Sequence, residues 1–347
     1  MKITFIYVAI LSGISIFIFF TLFYSLSDYP LRSEEGIYAR SAISFIEWKS
    51  HPRPFQKEVL TEYWNVCGEH PSIIKISSAI TWLLFHKKLG DLFSLRLATL
   101  IYFSLLPILS YMFGILFLRR PVSLTGSIFI LCIPGVIESA HFAEININLA
   151  FFWVLASYFF LRVQMKEGPW ISISGAIAGL AAGAKITTLA LLITILIWLL
   201  IYARGRWIRD ILLFTGAGIV IFLVAWPSLW VDNPVTALIS HIKYHIPEIN
   251  MRQPWYSVPV SLFSIIPLGF MVLFPLGIIR IFLEKNKGGM FCLILLLVFL
   301  GFFSIFKICP PDWFRYLLPL IPFFTIICAM GLDFLARPLI KRNIIYV

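Results

Sequence analysis

Long runs of mostly hydrophobic residues without any charged residue occupy more than half of this chain. A helix that crosses a lipid bilayer needs roughly 17–25 mostly apolar residues. Because charged side chains are absent from many runs of this length, we predict an all-α polytopic membrane protein with about ten transmembrane helices, within a range of roughly 9–12. The charge-free stretches of at least 17 residues are 3–27, 97–118, 121–137, 145–161, 168–184, 186–203, 211–231, 253–279, 288–306 and 316–332.

A shorter apolar segment, 72–86, has only 15 residues and contains Lys75. Pro71 precedes it at a position that favours the start of a helix, and its Ile and Leu residues fall largely at helical spacing. If this segment crossed the membrane, every later loop would change sides and the basic pair Arg119–Arg120 would lie outside. We therefore predict a helix that lies on the membrane surface.

The distribution of Lys and Arg predicts the orientation of the spans, because cytoplasmic loops are enriched in basic residues. With ten alternating spans, this rule places both termini in the cytoplasm. The long first loop, about 28–95, is then extracytoplasmic and carries the surface helices, and loop 232–252 lies on the same side. We expect a single domain over 1–347 without a separate soluble domain. The predicted cytoplasmic cations are Lys2, Arg119, Arg120, Arg162, Lys166, Arg204, Arg206, Arg209, Arg280, Lys285, Lys287, Arg337, Lys341 and Arg342.

The composition agrees with residence in a membrane. Hydrophobic residues make up 60% of the chain and charged residues only 13%, whereas a soluble domain has about 25% charged residues. The mean hydropathy is +0.92. The net charge of +11 could indicate a nucleic-acid-binding protein, but no soluble basic domain is present to bind nucleic acid. Because a basic excess is typical of loops that face anionic lipid, we expect the lipid bilayer as a partner and no nucleic acid.

Acidic residues at two places form the first half of a candidate site. Glu34 and Glu35 follow the first predicted span, and Glu144 stands in the short polar loop of "SAHFAEININLAFF". Ionisable groups at membrane depth are costly and normally face a cavity or a partner. A structural explanation exists for each residue: Glu34 or Glu35 could cap the following helix, and Glu144 could simply end a span.

Cations on the same predicted side form the second half of the candidate site. Carboxylates that face cations at the mouth of a helical bundle suit a lipid with a phosphate head group. The cations would bind the phosphate, while a carboxylate would accept a proton from a hydroxyl or bind a divalent metal. Lys185 could instead extend to the interface, and Arg315 could pair with Asp312. The candidate cations are His70, Lys75, Lys185, Arg252 and Arg315.

Eight motifs, in order from about residue 28 to residue 335, carry a resemblance to a known family. The chain resembles the GT-C-type polyprenyl-phosphate-dependent glycosyltransferases, which include protein O-mannosyltransferases and the lipid A aminoarabinose transferase. The order and spacing of the motifs are more specific than any one of them. The motifs are "SEEGIYARS", "GEHPSIIKISSAITWLLF", "SLRLATLIYF", "AEININLAFF", "AGLAAGAKITTLAL", "WPSLWVDNP", "QPWYSVPVSL" and "RYLLPLIPFF".

The chain departs from the family pattern at several motif positions. Glu34 stands where the family usually has Asp, and His70 stands where it has a phosphate-contacting Lys. Asn146 replaces the Asp of the second loop, and Glu144 lies two residues earlier. The C-terminal periplasmic domain of larger relatives is not expected here. These departures bear on how the donor is bound and whether a metal is used.

The resemblance implies transfer of a sugar from a polyprenyl-phosphate donor to a hydroxyl of a glycolipid, polysaccharide or protein. It implies Glu34 as the general base, Glu35 as its supporter, and Glu144 as an alternative base. Mg²⁺ or Mn²⁺ could be bound by Glu35 and Glu144. The donor phosphate would be bound by His70, Arg252, Arg315 and, with weaker support, Lys185.

Two other classes of function fit parts of the pattern. A flippase or transporter of lipid-linked saccharides could use the same polar groups, but the chain lacks the inverted repeats that are typical of transporters. A non-catalytic GT-C-like subunit would explain the departures from the motifs. For each of these functions we expect an integral protein of a bacterial inner membrane, with its site on the periplasmic side.

Overall fold

The computed structural model describes residues 2–66, 73–165, 170–203, 205–230, 266–306 and 313–344, and a few isolated positions within 239–262. Every regular element in these residues is helical. The α-helices are α1 (Lys2–Ser25), α2 (Ser33–Ser50), α3 (Lys57–Trp64), α4 (Ile73–Leu89), α5 (Asp91–Gly114), α6 (Arg120–Phe129), α7 (Pro134–Ser139), α8 (Ile145–Met165), α9 (Trp170–Ala184), α10 (Leu189–Tyr202), α11 (Trp207–Ala225), α12 (Leu268–Leu283), α13 (Lys287–Phe306), α14 (Trp313–Leu317) and α15 (Ile321–Ile344).

The apolar helices coincide in order with the ten predicted stretches. Among the described residues, six helical segments are long and apolar enough to cross a membrane: α1, α5, α8, α11, α13, and α14 together with α15. Four shorter apolar segments complete the set: α6 with the 3₁₀ turn that follows it, α9, α10 and α12. Helix α4 falls in neither group. The prediction of an all-α polytopic membrane protein is confirmed.

The predicted span 121–137 is interrupted rather than continuous. Helix α6 ends at Phe129, a 3₁₀ turn covers Ile130–Cys132, and α7 starts at Pro134. Proline cannot donate a backbone hydrogen bond, and its ring restricts the residue before it. Ile133 is accordingly extended, with φ −100° and ψ 109°. The interruption brings α7 and the loop 140–144 to one end of the bundle.

Glycines allow two pairs of helices to pack with their backbones in contact. A Cβ atom at Gly175 of α9 would lie 2.1 Å from the carbonyl oxygen of Phe214, and one at Gly179 would lie 2.2 Å from that of Gly218. Gly277 and Gly331 serve the contact between α12 and α15 in the same way. Small residues at such contacts are typical of helices in membranes, where close packing replaces the hydrophobic effect.

The first long loop folds into α2, α3 and α4, which pack together and onto α5. Lys75 in α4 is fully buried. Its ammonium group donates to the carbonyl oxygens of Tyr63 and Trp64 at the end of α3, at 3.5 and 3.2 Å. A cation at a helix C-terminus is favourable because it meets the negative end of the helix dipole. Lys75, one of the candidate cations, therefore fastens two helices of this loop to each other.

A network of ionic residues joins three helices at the other end of the bundle. Asp333 of α15 pairs with Arg280 of α12 at 2.5 Å and with Arg119, next to α6, at 2.6 Å. Glu284 pairs with Arg280 at 3.1 Å and also with Arg337. All five residues lie in segments that the charge distribution assigns to the cytoplasm, so the predicted scheme and the structure agree that they share one side of the bundle.

Candidate active site

Four segments that are distant in sequence meet at one end of the bundle and supply the charged site. They are the first turn of α2, the loop 140–144 before α8, the junction of α9 and α10 at Lys185, and α14. The first turn of α2 follows the segment after α1, and the other three lie at the ends of apolar helices, where a polar side chain can leave the hydrocarbon region. The structure brings together Glu34, Glu144, Lys185 and Arg315, as the sequence predicts. Arg315 contacts both glutamates, and Asn146 links Glu144 to Lys185.

Glu34 and Arg315 form a bidentate ion pair across the site. The Nη1 atom of Arg315 lies 2.5 Å from Oε2 of Glu34, and Nη2 lies 3.0 Å from Oε1. The side chain of Glu34 is 47% exposed, whereas that of Arg315 is 14% exposed. Glu34 is therefore open to solvent on one side. This contact replaces the alternative in which Arg315 pairs only with Asp312, which lies outside the described residues.

Glu35 points away from Glu34 and makes contacts that fix the backbone. Its carboxylate accepts hydrogen bonds from Arg96 at 2.9 and 2.7 Å. It also accepts the backbone N–H of Ala143 at 2.8 Å and that of Arg32 at 3.0 Å. The bond from Arg32 closes the start of α2, as the helix-capping alternative predicts. With both oxygens occupied and only 3% exposed, Glu35 is placed to position Glu34 rather than to contact a substrate.

Glu144 is buried directly beside the ion pair of Glu34 and Arg315. Its Oε2 atom lies 3.7 Å from Nη1 of Arg315, so the guanidinium faces two carboxylates. Its Oε1 atom accepts the backbone N–H of Asn146 at 3.1 Å and the side-chain amide of Asn146 at 2.6 Å. Burial raises the pKa of Glu144, although Arg315, Asn146 and Lys185 oppose the shift. A carboxylate with a raised pKa is a typical component of acid–base sites.

Lys185 completes the charged cluster from the junction of α9 and α10. Its Nζ atom donates to Oδ1 of Asn146 at 3.1 Å and lies 3.6 Å from the centre of the Tyr316 ring. An ammonium over an aromatic face is attracted by the ring's negative charge density. Lys185 thus points towards Asn146 and Tyr316. This position differs from the alternative in which Lys185 only extends to the membrane–water interface.

His141 belongs to the same loop as Glu144 but contacts a different part of the protein. Its Nδ1 atom donates to the carbonyl oxygen of Ile137 at 3.2 Å, and its Nε2 atom lies 3.0 Å from Oγ of Ser25. Burial lowers the pKa of His141, so the neutral imidazole is favoured. The imidazole ring joins the loop to the end of α1. Its centre lies 4.3 Å from the centre of the Tyr29 ring.

The candidate metal ligands are already engaged with hydrogen-bond donors. Both oxygens of Glu35 are taken by Arg96 and backbone N–H groups, and Oε1 of Glu144 is taken by Asn146. Mg²⁺ and Mn²⁺ bind carboxylate, carbonyl and water oxygens, and an oxygen that already accepts from an arginine is not available for this. No group of three or more His, Cys, Asp or Glu side chains in the described part of the chain could bind a metal. Glu35 in this arrangement is not free to bind a cation, and the role of Glu144 as a metal ligand stays a prediction.

Two of the candidate donor-phosphate ligands, His70 and Arg252, lie outside the described residues. Their predicted roles stay predictions. Arg96 was not predicted as a site residue, although "SLRLATLIYF" places this cation at the start of an apolar helix, where a charge needs a partner. Asn146 was noted only as a departure from the family pattern, and the structure gives it contacts with both Glu144 and Lys185.

The fold and the site together define a polytopic helical membrane protein with paired carboxylates and cations at one end of its bundle. Residues 69–230 match the model of a family described as dolichyl-phosphate-mannose-protein mannosyltransferase. The match includes Glu144, Asn146 and Lys185. This confirms the resemblance to the GT-C-type polyprenyl-phosphate-dependent glycosyltransferases over slightly less than half of the chain.

Two solved structures share the fold. The crystal structure of ArnT from Cupriavidus metallidurans bound to undecaprenyl phosphate has a TM-score of 0.66 and 18% sequence identity, over 94% of this chain and 60% of that chain. The apo structure of the same protein has a TM-score of 0.64 and 19% identity, over 94% and 59% of the two chains. This chain thus spans about three fifths of their length. No curated protein matches by sequence.

Proposed function

We propose that this protein is a membrane glycosyltransferase that transfers a sugar from a polyprenyl-phosphate donor to a hydroxyl on the extracytoplasmic face. The observation that carries the proposal is the cluster in which Arg315 and Lys185 lie among Glu34, Glu144 and Asn146. The mannosyltransferase family match and a fold shared with a protein crystallised with undecaprenyl phosphate support it. The acceptor is a glycolipid, a polysaccharide or a protein.

The reaction needs one base and a site for an anion. The acceptor oxygen attacks the anomeric carbon, and the bond between that carbon and the phosphate oxygen breaks with its electron pair leaving on the phosphate. The acceptor proton passes to a carboxylate. Because the phosphate departs as a stable anion, no acid has to protonate it, in contrast to glycoside hydrolysis, where a carboxylic acid protonates the leaving oxygen.

The position of Arg315 links binding of the donor to release of the base. Its guanidinium binds Glu34 in two places and also faces Glu144 at 3.7 Å. A phosphate offers the same fork of acceptor oxygens as a carboxylate and competes for this guanidinium. When Arg315 turns to the phosphate, Glu34 loses its cation and becomes available to the acceptor hydroxyl.

Glu34 is the proposed base because its side chain is half exposed, so that an acceptor can reach it. Glu144 is the alternative base, since it is buried and its pKa is raised by burial. Both carboxylates lie near the same nitrogen, Nη1 of Arg315, so a substrate phosphate bound to Arg315 would lie close to both. Lys185 supplies a second positive charge for that phosphate.

The proposal is tested with the purified full chain in lipid vesicles. The probes are undecaprenyl-phosphate monosaccharides and membrane glycolipids, and the measurement is release of undecaprenyl phosphate together with labelled acceptor. We expect Glu34→Gln to reduce turnover by ~10²–10⁴-fold, the usual contribution of a general base. The matched control is Glu138→Gln, a nearby carboxylate that is 58% exposed, and it should retain turnover.

Three results would change the assignment. If Glu34→Gln retains turnover and Glu144→Gln loses it, the base is Glu144. If the lipid donor crosses the vesicle membrane without being consumed, the protein is a flippase. Arg315→Lys should recover only part of the donor use that Arg315→Ala loses, because a lysine cannot offer two parallel donors; equal donor use by both variants and the wild type would remove Arg315 from the donor site.

A further inference from the structure

Asn146 connects the buried carboxyl group of Glu144 with the ammonium group of Lys185, which is partly buried. Its Nδ2 atom donates to Oε1 of Glu144 at 2.6 Å, and its Oδ1 atom accepts from Nζ of Lys185 at 3.1 Å. Its backbone N–H reaches the same oxygen of Glu144 at 3.1 Å. These two neighbours fix the orientation of the amide, since the nitrogen must face the carboxylate and the oxygen must face the ammonium.

We propose that Asn146 is a positioning residue that holds Glu144 and Lys185 apart as two separate charges and so keeps Lys185 directed at an anionic lipid phosphate. The first half of this proposal concerns the protein alone. The second half rests on the proposed function, because it assumes a lipid phosphate as the ligand.

A neutral residue at position 146 determines the charge balance of the cluster. Among the described residues of the cluster, Glu34 and Glu144 carry two negative charges when ionised, and Arg315 and Lys185 carry two positive charges. An aspartate at position 146 would add a third carboxylate, would repel Glu144 and would form a direct ion pair with Lys185. An arriving phosphate would then meet excess negative charge and a lysine already neutralised, so its binding would weaken.

The same helix offers a matched control at Asn148. This side chain is fully buried, and in the described part of the chain neither of its amide atoms has a hydrogen-bond partner. Leucine is similar in size to asparagine, so this substitution removes the buried amide of Asn148 without removing a hydrogen bond. Asn148→Leu therefore reports the effect of the same substitution in the first turns of α8 without the contacts to Glu144 and Lys185.

The first experiment tests the positioning role without any ligand. Unfolding temperatures are measured for Asn146→Leu, Lys185→Met, Glu144→Gln and the double variants. We expect Asn146→Leu to lower the unfolding temperature and to be non-additive with both other changes, because residues in one hydrogen-bond network are coupled. Asn148→Leu should be additive with both. Additive behaviour of Asn146→Leu would overturn the positioning role.

The second experiment measures binding of undecaprenyl phosphate to the detergent-solubilised protein at neutral pH. We expect Asn146→Asp to weaken binding by at least ~10-fold, because like charges placed together are strongly unfavourable. Asn146→Leu should weaken it less, and Asn148→Leu should not change it. If the wild type binds and Asn146→Asp binds equally well, the link between Asn146 and the phosphate is wrong. If the wild type does not bind, the lipid-phosphate ligand fails, and with it the second half of this proposal, whereas the first experiment still decides the positioning role.

Discussion

Arg96 and Glu35 form a bidentate ion pair in the interior, with Nε–Oε1 and Nη2–Oε2 distances of 2.9 and 2.7 Å. Their side chains are 0% and 3% exposed. Arg96 also donates to the carbonyl oxygens of Leu26, Tyr29 and Pro30, in the segment that joins α1 to α2. The pair therefore fixes the backbone immediately before Glu34 and determines where that carboxylate lies.

The first prediction concerns the stability of this pair. We expect Glu35→Gln and Arg96→Met each to destabilise the protein by about 3–5 kcal/mol, because removal of one member leaves the other buried without a countercharge. Thermal unfolding of the detergent-solubilised protein provides the measurement. Glu138→Gln, which breaks the exposed pair with Arg32, should cost less than about 1 kcal/mol. Equal stability of Glu35→Gln and Glu138→Gln would contradict this structural role.

The second prediction concerns pH and Glu144. Burial raises the pKa of this carboxyl, so the folded protein binds the proton more tightly than the unfolded chain does. Its contribution to stability is present below the unfolded pKa of about 4.3 and is lost as the pH rises through the folded pKa. We therefore expect the unfolding temperature of the wild type, relative to Glu144→Gln, to fall as pH increases over this interval. An unchanged difference, or a rising one, would show that burial does not raise the pKa of Glu144 in the folded protein.

The third prediction concerns the contact between α9 and α11. Gly179→Ala would place a Cβ atom 2.2 Å from the carbonyl oxygen of Gly218, so the two helices must separate. We expect a loss of about 1–3 kcal/mol, which is the usual cost of overpacking, seen as a lower unfolding temperature. Gly216→Ala is the control, because no atom lies within 4 Å of a Cβ at that position of α11. Similar effects of the two substitutions would show that the close helix contact is absent.

The fourth prediction concerns the orientation in the membrane. If α4 lies on the extracytoplasmic surface and does not cross, a cysteine at the exposed position Lys88 should react with a membrane-impermeant maleimide in intact cells. A cysteine at the exposed position Arg206, in a predicted cytoplasmic loop, should react only after permeabilisation. Both variants are made in a chain without its native cysteines. The opposite labelling pattern would reverse the orientation and move the charged cluster to the cytoplasmic side.

The amino-acid sequence was sufficient to predict the helical architecture. Each apolar run longer than the bilayer thickness has to form a helix, since backbone groups inside lipid can be satisfied only within a helix or a closed barrel. The number and order of the spans follow from this local requirement. The interruption at Pro134 was visible in the sequence as well, but the length of the apolar run concealed it because proline is tolerated in membrane helices.

The pairing of charges within the site depended on the tertiary structure. The sequence assigned different roles to Glu34 and Glu35 but not their partners: Glu34 pairs with Arg315, 281 residues away, and Glu35 pairs with Arg96, 61 residues away. Such contacts depend on which helix ends become neighbours when the bundle packs, and local periodicity contains no information about that. The sequence by itself thus determined the helices and the residues that end them, whereas the packing of those helices decided that Arg315 faces two carboxylates and that Asn146 lies between Glu144 and Lys185.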